Sequence, residues 1–86
     1  MHEFSLMAGL LKKIEYVALQ QKASKVVGVS IKLGALSNIS AGHFREHFEE
    51  ATKDSIADGA TLAIEEGSDL YDPNAQDILV TEVEVI

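Results

Sequence analysis

The sequence predicts an α+β domain in which two helices pack on one face of a small three- to four-stranded sheet that ends in a C-terminal β-hairpin. Three observations carry this. Two segments repeat apolar residues at three- and four-residue steps, and three others are short alternating or β-branched runs. Gly, Asn, Asp and Ser gather between them. With 86 residues the chain is read as one domain, residues 1–86. A chain this short buries about 60–65% of its unfolded surface, so its core is small.

The first helix is read over residues 5–22. Leu6, Leu10, Ile14 and Val17, with Met7, Leu11 and Ala18 beside them, make one face, and Lys12, Lys13, Glu15 and Gln20 the wet one. Ser5 is the expected N-cap, and Lys22 stands near the C-terminal end, where the dipole favours a cation. In the next run Val27, Val29, Ile31 and Leu33 alternate with Gly28, Ser30 and Lys32, the pattern of a half-buried strand. Gly34 ends it, and Asn38, Ser40 and Gly42 mark a loop. The second helix is read over residues 41–55, with Phe44, Phe48 and Ala51 or Thr52 as its core stripe. Asp58-Gly59 signals a turn before a strand at residues 61–66, in which Leu62 and Ile64 share a face. Residues 67–77 read as a surface loop. Residues 78–86 form the last strand, with Leu79, Thr81, Val83 and Val85 on one face and Glu82 and Glu84 on the other.

Composition narrows the function. Hydrophobic residues at 47% and charged residues at 24% are ordinary for a globular domain. The absence of cysteine excludes a disulfide framework, a thiolate nucleophile and a cysteine zinc site within this chain. No apolar run approaches the roughly 18–20 residues of a membrane span, and no secretory leader is visible, so the expected address is cytoplasmic. The net charge of −7 gathers in residues 43–86, where Arg45 and Lys53 face twelve acids. That charge repels phosphate backbones and speaks against nucleic acid as a partner.

Two sets of residues carry metal chemistry. A free α-amine on Met1, the amide and imidazole of His2 and the amide or carboxylate of Glu3 can form fused chelate rings. Such nitrogen and oxygen ligation suits Ni(II) or Cu(II). Binding displaces protons from the amine, ordinarily titrating near 7.7–8.0, and from an imidazole, near 6.5, so affinity falls with acid. The bland alternative is an incidental surface histidine. His43 and His47, four apart on the second helix with Glu46 and Glu50 close by, are the secondary candidates. Their alternative is to cap the edge of the Phe44/Phe48 stripe. They do not form a His-Glu-x-x-His pair, and no catalytic triad is legible. Nothing in the chain predicts an enzyme.

These residues resemble a known family. The opening Met1-His2-Glu3-Phe4-Ser5-Leu6 is similar to the start of the HypA nickel-incorporation proteins, which serve the maturation of [NiFe]-hydrogenase and, in some organisms, urease. Val29-Ser30-Ile31-Lys32-Leu33-Gly34-Ala35-Leu36-Ser37 is similar to the family strand that ends in Gly-Glu-Leu-Ser. Phe44, Phe48, Thr52, Ala57, Gly59-Ala60 and residues 62–65 fall where the family has its second helix and a strand, and residues 80–85 resemble its terminal strand.

The resemblance implies a metallochaperone that holds Ni(II) at Met1, His2 and Glu3. It also implies two partners: a GTPase that takes part in nickel delivery and the large subunit of the metalloenzyme. A homodimer is compatible with an exposed strand edge. Two departures stand out. The family's cysteine-rich zinc module, inserted between its last two strands, is replaced here by the short loop at residues 67–77, so no zinc is expected. The Glu of Gly-Glu-Leu-Ser is Ala35. These departures motivate the alternative of a metal-free adaptor that retains the fold as an interaction module.

Overall fold

The computed structural model describes residues 2–86, with side chains described from Met7 onward. Two helices and three strands follow one another as α1 (His2–Gln20), β1 (Val26–Leu33), α2 (Ala41–Ala51), β2 (Thr61–Glu66) and β3 (Ile78–Val85). The α+β prediction is met, with a sheet of three strands in the order β2-β1-β3. Both helices pack on one face of it. α1 meets β3, α2 meets β2, and the helices meet each other.

The core explains the order. β1 is the most apolar strand, and Val26, Val29, Ile31 and Leu33 are each no more than 2% exposed. A strand so apolar is best placed where neighbours cover both edges. Onto it α1 brings Met7, Leu10, Ile14 and Ala18, and α2 brings Phe44 and Phe48, whose rings stack at 6.1 Å. Burying a side chain of the size of Phe44 contributes about 1.5–3 kcal/mol.

The expected C-terminal hairpin is absent. β2 runs parallel to β1 in an unbroken register from Gly28↔Thr61 to Leu33↔Glu66, and β3 runs antiparallel to β1 on the other side. The last two strands therefore lie on opposite edges. Tight hairpin loops have about two to five residues. Residues 67–77 are longer, and they need to span only two inter-strand spacings of about 4.8 Å each. The segment crosses the end of β1 as a strap. Gly67 N–H donates to Leu33 O at 2.7 Å, Leu36 N–H to Ala75 O at 2.7 Å and Gly34 N–H to Asp77 O at 2.9 Å. A side chain on Gly34 would strike the backbone oxygens of Ala75 and Asn74, which is why the strap needs glycine there.

Three local expectations also change. Ser5 falls within α1, which begins at His2. The helix ends in a Schellman motif, with Lys22 left-handed (φ 54°), Ala23 N–H donating to Ala18 O and Lys22 N–H to Leu19 O. α2 stops at Ala51, not at residue 55. Thr52, buried, turns its hydroxyl back to Phe48 O at 2.9 Å, and Asp54 is left-handed, so the helical path ends there. In β3 a bulge opposite Ser30 and Ile31 shifts the alternation by one residue. Ile78 and Val80 therefore join Val83 and Val85 in the core, not Leu79 and Thr81. Thr81 instead donates its hydroxyl to Ser30 O at 3.2 Å.

Candidate metal centre

Of the expected nickel ligands Met1, His2 and Glu3, the backbone of His2 and Glu3 opens α1. Met1 and the side chains of His2 and Glu3 lie outside the described residues. The backbone of α1 from His2 onward supplies the local context: the first amides of a helix have no carbonyl partner within it. Amide nitrogens in that turn are available to a ligand without the loss of a helical hydrogen bond.

The secondary candidates are brought together. Ser40, extended at φ −79° and ψ 157°, caps α2 by accepting the His43 N–H at 3.1 Å. Phe44 and Phe48 then anchor one side of the helix in the core, which leaves His43 exposed and His47 half-buried next to that stripe. The two rings stack with centroids 4.6 Å apart and 21° between their planes. Glu46 and Glu50 stay exposed on the same helix. Among the described residues no group of three or more His, Cys, Asp or Glu side chains converges as a metal cage.

A polar cleft at the end of the sheet where β1 and β2 finish was not legible in the sequence. A cavity of about 190 Å³ opens where β1 and β2 end beneath the strap, lined among others by Lys32, Ala35, Glu65, Asp69 and Asp72. Lys32 Nζ lies 3.9 Å from Asp72 Oδ2, with both side chains about one-third exposed. Two of the strap's three acids are occupied locally. Asp69 accepts the Tyr71 N–H at 2.9 Å and Asp72 the Asn74 N–H at 2.8 Å, turns that shape the loop. The cleft joins residues about 40 apart in sequence, united by the parallel pairing of β1 with β2 and by the strap's hydrogen bonds to the end of β1. Ala35 lies on its wall.

Among the described residues no helix is long and apolar enough to cross a membrane. Two helices on a three-stranded mixed sheet define the class, a small α+β domain. The family model described as "Hydrogenase/urease nickel incorporation, metallochaperone, hypA" matches residues 1–70, and the chain belongs to the HypA family. It is 41% identical over 64 residues to the hydrogenase maturation factor HypA of Dechloromonas aromatica, a match covering 74% of this chain and 57% of that protein. With HypA of Chlorobaculum parvum the identity is 36% over 66 residues, covering 77% and 58%. The chain thus spans little more than half the length of these relatives. The solution structure of the Ni metallochaperone HypA from Helicobacter pylori superposes with a TM-score of 0.81 at 17% identity, covering 98% of this chain and 97% of that one. At that identity the likeness is one of fold.

Proposed function

We propose that this chain binds Ni(II) as cargo through Met1, His2 and Glu3 and acts in the maturation of a nickel metalloenzyme such as [NiFe]-hydrogenase. The observation that carries the reading is the family match, which begins at residue 1 and so includes the chelating triplet. The start of α1 supports it physically. Nitrogen donors there are free of helical hydrogen bonds, and an amide that loses its proton to the metal adds negative charge where the helix dipole favours it. A metal held at the end of a chain exchanges its ligands one at a time, which is what transfer requires.

The cytoplasm is the compartment for this work. A GTPase and the large subunit of the recipient enzyme are the partners that the family resemblance implies. The strap at residues 67–77 takes the place of a zinc module, so nickel is the metal expected to bind. Homodimer formation, through an exposed strand edge, belongs to the same proposal. The test is a chain with one alanine added before Met1. The addition moves the amine away from the His2 chelate and leaves the fold intact. Loss of Ni(II) affinity in calorimetry is expected, and unchanged affinity would exclude the terminal amine as a ligand.

A further inference from the structure

Two imidazoles remain that the nickel reading does not use. His43 and His47 rise from successive turns of α2, and their rings already lie side by side at 4.6 Å. The backbone under them is fixed at the start by the Ser40 cap and on the core side by Phe44 and Phe48. His47 borders the interior, with Nε2 buried, while His43 stands in solvent and is able to rotate. Imidazole nitrogens bind transition ions at about 2.0–2.1 Å, so a chelate brings two of them to roughly 3 Å from each other. From stacked rings, that approach needs side-chain rotation and no movement of the helix.

We propose that His43 and His47 form a second, exchangeable site for a divalent transition ion, held by one nitrogen of each ring with water completing the coordination. Imidazole selects this class of ion. Mg²⁺ and Ca²⁺ prefer oxygen ligands, whereas Cu(II), Ni(II) and Zn(II) accept nitrogen, Cu(II) most strongly. Glu46 and Glu50, exposed on the same helix and each three residues beyond a histidine, supply a negative surround. With two protein ligands, and no group of three metal-ligating side chains among the described residues, the site is weaker than a multidentate terminal chelate and loads and unloads readily. It draws on no property of the relatives.

The test uses Ni(II) as the probe and the full chain carrying His2→Ala, compared with His2→Ala/His43→Ala. His43 is exposed, so its replacement leaves the core untouched, and circular dichroism checks the fold. In calorimetry the single variant is expected to bind one Ni(II) more weakly than the wild-type chain's tightest class, and the double variant to lose that ion. In imidazole ¹H–¹⁵N spectra of His2→Ala, paramagnetic Ni(II) should broaden the His43 and His47 rings first. Equal binding by the two variants, no binding by His2→Ala, or broadening that spares both rings would overturn the proposal. Failure of the nickel-cargo reading looks different, because wild type and His2→Ala would then bind alike.

Discussion

The two edges of the sheet are built differently. On the β2 side, a parallel pair runs in unbroken register under α2. On the β3 side, an antiparallel pair carries register shifts at Val26/Gly28 and Ser30/Ile31 and is tied to β1 by the strap. Both edges are hydrogen-bonded to β1, and the strap adds one close approach at Gly34, against the backbone of Asn74 and Ala75. The connection between the last two strands therefore doubles as the element that crosses the end of β1. Here residues 67–77 do so with hydrogen bonds to Leu33, Gly34 and Leu36.

The largest effect should come from the packed side. Phe44→Ala removes a wholly buried ring and is expected to cost about 3–5 kcal/mol in denaturant unfolding. A cost below about 1 kcal/mol would mean that α2 does not clamp that edge. Gly34→Ala comes next. Its methyl must displace the strap backbone, so a loss of about 1–3 kcal/mol is expected. The same change at Gly9, on the open side of α1 with nothing nearby, should instead stabilise by up to about 1 kcal/mol. Opposite signs for one substitution separate strap docking from glycine's general entropy.

Ser40→Ala should cost about 1 kcal/mol in thermal unfolding, since the cap of α2 loses its acceptor. Smallest is Lys32→Ala. Its partner is 3.9 Å away and partly solvated, so between 0 and about 1 kcal/mol is expected. A larger loss would show that the cleft contributes to holding the strap.

Much of this architecture was legible in the chain. The i, i+3, i+4 spacing located both helices, and Leu62 and Ile64 marked the core face of β2, because those patterns depend on neighbours in sequence. The strand order was not legible. A sequence that ends in strand, loop, strand suggests a hairpin, and only the competition for the two edges of β1 decides otherwise. The bulge in β3 hid in the same way. The alternation after Ile78 reads equally well with Leu79 inward, until pairing with Ser30 and Ile31 inserts an extra residue. The end of α2 was missed because the left-handed backbone at Asp54, which breaks the helical path, leaves no mark in the local pattern. The histidine pair followed from spacing alone, and the structure adds the stacking of the rings. The cleft around Lys32 and Asp72 depends on contacts across some 40 residues, which no local pattern encodes.

The central claim is that cargo nickel is held by the first three residues. Calorimetric titration of Ni(II) into the untagged chain, beside His2→Ala, tests it most directly. His2→Ala is expected to lose the tightest class of binding while weaker binding at α2 persists. Retention of wild-type affinity by His2→Ala would contradict it.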